Sequence, residues 1–319
     1  MDVLDLSEIL QNNLDKVLSP VGYKHLLNRA NNLIRFDVVN RMLIEAQSDS
    51  AYDLRTEQEW NIDNRKLNSN AKPVFIIVPK YKYGYMDTDT NKIVDNMDLS
   101  PDEILKAIEY DIIERVETID DAYTLPLFDI KQTSSMNNAE YKVYKPVVST
   151  EKLFEITKSI LCADIEVCDQ DYYSAKHNTI YISRKPYKDL VYTISEYITQ
   201  YFIDDKLNEL LCDSYETSID SIDEETKKLI KDSLHYSICT LLRGNCDITF
   251  DYITRIQYEN KILVLNIVDN FVNIVIEHME FTSPVFNGDA IINITRLCKA
   301  EKLLNIMEAS YINKKLKGQ

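Results

Sequence analysis

From about residue 187 onward, apolar side chains return at the three-and-four spacing of helices, in segments near 187–203, 205–218, 222–243, 258–280 and 290–315. Strand signals fall before that point, so the expected class is α+β with a mainly helical second half. The chain also opens on helices. Leu6, Ile9, Leu10, Leu14 and Leu18 lie at helical spacing until Ser19 and Pro20 break the pattern. Leu26, Leu27 and Ala30 form a second stripe, and Val38, Val39, Met42, Leu43 and Ala46 a third. Thr56 is placed to cap a short segment ending at Trp60, the only tryptophan. The apolar run between Pro73 and Pro79 is too short for a buried helix and reads as a strand. Residues 83–98 read as a polar hairpin or loop, and Ser100 with Pro101 opens a helix through Ile104, Leu105 and Ile108. A second strand is expected over 122–130, a loop over 131–142, and a new helix from Ser149. A strand over 165–168 is followed by a hairpin over 172–182, turning near 176–178.

Composition excludes several activities. Only 5 glycines occur in 319 residues, with no G-x-G-x-x-G and no G-x-x-x-x-G-K-[ST], so nucleotide sites of those two kinds are ruled out. The net charge of −16 argues against a protein that coats duplex DNA by bulk charge. That charge is uneven: residues 1–82 carry 11 acids and 11 bases, and the whole excess lies beyond them. The longest apolar runs are far short of a membrane span; Asn266 interrupts the one over 262–268. The 6 cysteines form no C-x-x-C, and no signal peptide opens the chain, so they are expected as reduced thiols in a cytoplasmic protein.

Metal chemistry has few donors available. There are 4 histidines and no H-x-x-x-H pair. His235 and Cys239 stand at i and i+4 on one predicted helix face, a spacing that suits a metal, although a buried cysteine beside a partly buried histidine is the commoner outcome. In the helix over 187–203, the stretch Ser195, Glu196, Tyr197, Ile198, Thr199 has the spacing of a zinc-protease motif, with hydroxyls where imidazoles would stand. By itself it is an amphipathic helix. Asn40 and Gln47 suit either a buried polar framework or a nucleic-acid contact, and Trp60 with Phe36 and Tyr52 either a small core cluster or a base-stacking surface.

The order of the segments carries a resemblance. The stretch Arg35, Phe36, Asp37, Val38, Val39, Asn40, Arg41, Met42, Leu43, Ile44, Glu45, Ala46, Gln47 is similar to the opening of the LtrC-like and ArdC-like antirestriction proteins of conjugative elements and phages. Asp53, Leu54, Trp60, Asn64, Arg65 and the strand over 74–79 follow in that family's order. Leu127, Phe128, Asp129, Ile130, Lys131, Gln132, Thr133 resemble its "VFDISQT". The hairpin over 172–182 resembles the one before its H-E-x-x-H helix, and Ser195 to Thr199 falls where that motif belongs. Asp232 to Cys239 is similar to its third-ligand helix, and Ile248 to Ile253 to the stretch after it. The resemblance covers roughly residues 20–255.

The resemblance implies an N-terminal domain associated with single-stranded DNA, a zincin-like metallopeptidase domain after it, and specific departures. Residues 1–148 are expected as the ArdC-like domain with a small sheet and helices, 149–257 as a degenerate, mainly helical zincin-like domain, and 258–319 as a helical extension. Both histidine ligands are replaced, by Ser195 and Thr199, and the third-ligand glutamate falls on the shorter Asp232. Only the general-base position, Glu196, is kept, and without a metal-bound water it has nothing to activate. The family's Gly- and Lys-rich stretch has become residues 66–72, without glycine.

The implied function is a phage or mobile-element anti-defence protein. It would act in the bacterial cytoplasm by binding a host defence or DNA-processing protein with a basic surface, without cofactor, metal or catalysis. One alternative is a single-stranded DNA-binding protein that protects incoming DNA, with Arg29, Arg35, Asn40, Arg41, Arg55, Trp60 and Arg65 as contacts. The other is an active metallopeptidase with rearranged ligands.

Overall fold

The structure is a computed structural model that describes residues 1–30, 33, 35–89, 93–94, 101–110, 112–136, 148–215 and 217–279. The expected N-cap Ser100 and the expected helix over 290–315 lie outside these residues, as does the second half of the loop expected over 131–142.

Three helices open the chain: α1 (Val3–Val17), α2 (Pro20–Ala30) and α3 (Val38–Gln47). Asp2 and Asp5 form a reciprocal capping box at the start of α1, and the break falls at Ser19 and Pro20 as their chemistry requires. Strand β1 (Leu54–Arg55) leads to α4 (Glu57–Ile62), which Thr56 caps together with Glu59, and then to β2 (Arg65–Leu67). Strand β3 (Val74–Asp87) follows, then β4 (Ile93–Val94), α5 (Pro101–Glu109), β5 (Ile113–Asp129) and β6 (Thr133–Ser135). These strands make a four-stranded sheet in the order β1-β5-β3-β4 and a two-stranded ribbon of β2 with β6.

Both long strands exceed their expected ranges. β3 runs eight residues past Pro79, and β5 begins nine residues before Ala122. Strand alternation puts the nitrogen of Pro79 on the same side as those of Phe75 and Ile77, which point away from β5. Its missing N–H therefore costs no ladder bond, and the strand continues through it. Residues 133–135, expected as loop, instead pair with β2.

The second half begins with α6 (Thr150–Leu161), capped by Ser149, and a three-stranded sheet of β7 (Asp164–Cys168), β8 (Tyr172–Ser174) and β9 (Thr179–Ser183). β7 and β9 are parallel, and β8 returns antiparallel through a turn where Asn178 is left-handed at φ 48°. Then come α7 (Tyr187–Tyr201), α8 (Leu207–Tyr215), α9 (Glu224–Leu241) and α10 (Tyr258–His278). A π-turn over Phe202–Lys206 joins α7 to α8.

One hydrophobic core runs from Leu6 to Met279 and draws on α1, α2, α3, α6, α7, α8, α9 and α10. It crosses the expected boundaries at 148 and 257 without a break. A smaller cluster, including Phe36, Ile44, Leu54, Ile76 and Leu127, lies on the other face of the four-stranded sheet. Helix α3 sits between the two, buried at every residue from Val38 to Glu45. A helix buried all round must place its polar groups on partners. Asn40 Nδ2 donates to Ile77 O at 2.9 Å while its Oδ1 accepts from Ile77 N at 2.8 Å. Two turns on, Gln47 does the same with Phe75, at 2.8 and 3.0 Å. Together the two amides substitute for a neighbouring strand along the open side of β3.

Candidate functional site

Helix α7 carries the residues that the resemblance places at the catalytic motif. Leu190, Val191, Ile194 and Ile198 are buried, and Ser195 and Thr199 share that inward face, whereas Glu196 is exposed. Ser195 Oγ donates to Val191 O, one turn back, at 2.5 Å. Thr199 Oγ1 is buried without a hydrogen-bond partner. Across from them runs α9, capped by Asp223 and buried along nearly all of its inner side. Asp232 on this helix accepts a hydrogen bond from Tyr252 Oη at 2.7 Å. Burial and then that carboxylate push the Tyr252 phenol far above its ordinary range.

His235 lies one turn beyond Asp232. Its Nε2 is 3.2 Å from Tyr192 O, and its ring meets that of Tyr192 edge-on at 4.5 Å. Burial lowers its pKa, so the ring is neutral and the contact with a carbonyl places the proton on Nε2. Cys239, a further turn along, is wholly buried, and the neighbouring Cys246 together with burial pushes its thiol up. Beside α7, Lys185, Asp189, Tyr192, Thr193, Asn245, Asp247 and Ile248 line an open, polar groove of about 570 Å³.

This donor set does not fit the metal that the resemblance implies. Two neutral hydroxyls face the core, and the one carboxylate is held by a tyrosine. Among the described residues, no group of three or more His, Cys, Asp or Glu side chains is placed to hold a metal ion. Of the histidine and cysteine at i and i+4, the first is bonded to a backbone carbonyl and the second is wholly buried against Gly244.

The residues read as nucleic-acid contacts are all engaged within the fold. Arg29 pairs with Glu45 and donates to the carbonyls of Ser48, Asp49 and Ala51. Arg35 pairs with Glu59 at 2.9 Å and lies over the Phe36 ring at 5.0 Å. Burial opposes it, but the Arg35 charge holds the Glu59 carboxyl below its ordinary value. Arg41 pairs with Asp269 of α10. Arg55 bridges Asp53 and Asp63 and stacks over Trp60 at 4.6 Å. Arg65 Nε donates to Thr133 Oγ1 at 2.7 Å, across the β2–β6 ribbon. Trp60 is wholly buried, with its indole N–H on Phe128 O at 2.8 Å. Asn40 clasps β3 as described above.

Sequence reasoning missed Cys246, Tyr252, Lys24 and Tyr192 as neighbours of the α9 residues. Helical periodicity ends before Cys246, and a return loop leaves no spacing signal.

No family model matches the sequence, and no curated protein matches it. Among solved structures, the chain is similar to the antirestriction protein ArdC from plasmid R388. The metal-free form gives a TM-score of 0.40 at 10% identity, over 81% of this chain and 97% of that one. The Mn(II)-bound form gives 0.37 at 10% identity, over 82% and 99%. Scores of this size describe a loose likeness in the course of the chain.

Proposed function

We propose that this chain is an anti-defence protein of the antirestriction kind, from a phage or mobile element, that acts by binding a host protein. Its zincin-like segment serves as scaffold and not as catalyst. The observation that supports this reading is the use made of the three ligand positions. Ser195 and Thr199 are turned into the core and Asp232 is bonded to Tyr252, so all three serve packing. Glu196 lies on the exposed side of α7, turned away from the hydroxyls at the ligand positions. The acid excess beyond residue 82 favours a basic protein partner and speeds its encounter.

The test is a restriction challenge. Cells carrying a restriction system and this protein receive unmodified phage DNA, and plating efficiency is scored. Wild type and Glu196→Gln are expected to protect equally, by about tenfold or more, and the purified protein to hold no stoichiometric zinc. Absence of protection overturns the anti-defence reading. Loss of protection in a folded Glu196→Gln variant overturns the scaffold reading.

A further inference from the structure

The sheet of β7, β9 and β8 has two unlike faces. Ile180 and Ile182 of the central strand β9 are buried in the core, and strand alternation sends Tyr181, between them, to the opposite face. The register carries that row across all three strands. Tyr181 stands opposite Tyr172 of β8 on one side and opposite Glu166 of β7 on the other. The Tyr172 and Tyr181 rings stack at 4.5 Å with 13° between their planes, side by side at the spacing of their strands. Tyr172 remains 48% exposed although one side of its ring is covered, and Glu166 is exposed. β8 is an edge strand, so the second face of the Tyr172 ring looks past the rim of the sheet.

The charges around this row are unbalanced. Asp164 pairs with Lys158 at 3.1 Å, and Asp171 pairs with Lys185. Among the described residues, Glu166 and the exposed Asp169 pair with no cation. The remaining cations of this segment, Lys176 and Arg184, lie beyond the two ends of β9. Cross-strand stacking accounts for two tyrosines in a hairpin, but not for an aromatic face left open beside uncompensated carboxylates. An open ring face and a free carboxylate are the two groups that recognise a guanidinium, which stacks flat on the first and forks onto the second. Here they lie two strand spacings apart, roughly 10 Å, too far for one guanidinium and suited to two on the same segment.

We propose that this outer face docks an arginine-rich segment of the partner protein, with one guanidinium on the open face of Tyr172 and a second paired with Glu166. The inference rests on the reading of the chain as a binder of a host protein, and it names where that protein is met and by which side chains. The acid excess beyond residue 82 draws a basic segment in from a distance. The row of Tyr172, Tyr181 and Glu166 then selects arginine over lysine, because a compact, strongly hydrated ammonium neither stacks nor forks as a guanidinium does.

The probes are fluorescein-labelled octa-arginine and octa-lysine, titrated with the full chain at low salt and read by anisotropy. Octa-arginine is expected to bind about fivefold tighter than octa-lysine. Tyr172→Ala and Glu166→Gln are each expected to weaken octa-arginine by about threefold or more, and Tyr172→Phe, which keeps the ring, to bind as wild type does. Asp213→Asn removes the same charge from an exposed position on α8 and is expected to leave binding nearly unchanged. Glu166→Gln lies at an exposed strand position and needs no repacking, so the test stands even if Tyr172→Ala unfolds. The proposal is overturned if the two peptides bind alike, or if Asp213→Asn weakens binding as much as Glu166→Gln does. In the restriction challenge, full protection by a folded Tyr172→Ala, Glu166→Gln double variant also overturns it and leaves the anti-defence reading intact. Absence of protection by wild type overturns that reading instead, and the peptide titrations then judge the surface by themselves.

Discussion

Replacing Asn40 by alanine separates a structural role from a nucleic-acid role at that position. The side chain is wholly buried and holds both polar groups of Ile77, with a third bond from its Nδ2 to Asp37 Oδ2 at 2.7 Å. Truncation leaves the Ile77 N–H and C=O without partners in a place that water does not reach. Each stranded group costs about 1–3 kcal/mol, so the pair costs about 2–5 kcal/mol after partial relaxation. Gln47→Ala removes the equivalent clasp on Phe75, but Gln47 is only half-buried, and about 1–2 kcal/mol is expected. Urea unfolding followed by circular dichroism reads both, as a lower midpoint at unchanged slope. The same samples are titrated with a labelled single-stranded oligonucleotide. The clasp argument is wrong if Asn40→Ala leaves stability within about 0.5 kcal/mol of wild type while abolishing oligonucleotide binding.

Arg41→Met removes the partner of Asp269 and the nearest cation to Asp37. Because Asp269 keeps 25% of its side chain exposed, the loss is set at about 2–3 kcal/mol, and Asp269→Leu in the same chain should recover part of it. If the two losses simply add, the pair is not coupled. Asp37, which caps α3, is pushed up to about 6 by burial, against the bonds from Asn40 and the charge of Arg41. A folded-state pKa above the unfolded one means stability that is full below about pH 4 and lost as pH rises through about 6. Asp37 retains some exposure, so the loss is discounted to about 1–2 kcal/mol. Asp37→Ser keeps a cap without the charge, and its stability relative to wild type should improve between pH 4 and 7; a constant offset contradicts the assignment. Gly244→Ala should cost about 1–3 kcal/mol in urea unfolding by forcing the loop off Cys239, and an unchanged midpoint would mean that the turn yields freely.

Helix starts were the most legible part of the sequence, because their chemistry is local. Thr56, Ser149 and the break at Ser19 and Pro20 act within one turn of the residues they control. Strand lengths were less legible. Pro79 reads as a stop unless one knows which side of β3 is open, and that depends on Asn40, some forty residues earlier in the chain. In the candidate site, one-turn spacing put Ser195 and Thr199 together on a helix face, but not the contact of Asp232 with Tyr252 or of His235 with Tyr192. The arginines show the same limit most clearly. Arg35, Arg41 and Arg55 look like free cations in the sequence, and their carboxylate partners, Glu59, Asp269 and Asp63, are brought to them only by folding.

The continuous core sets an order on biosynthesis. Tyr23 bonds Ser233 at 3.0 Å, Asn28 bonds Tyr236 at 2.7 Å, and Arg41 pairs with Asp269, links that span 210, 208 and 228 residues. At about 5–20 residues per second, the ribosome takes roughly ten to fifty seconds to supply those partners once the first helices have emerged. Through that interval α2 lacks the cover of α9, and α3 that of α10. The nascent chain therefore carries an adhesive surface until α10 has been made, and a fragment released before then would take that surface into the cell.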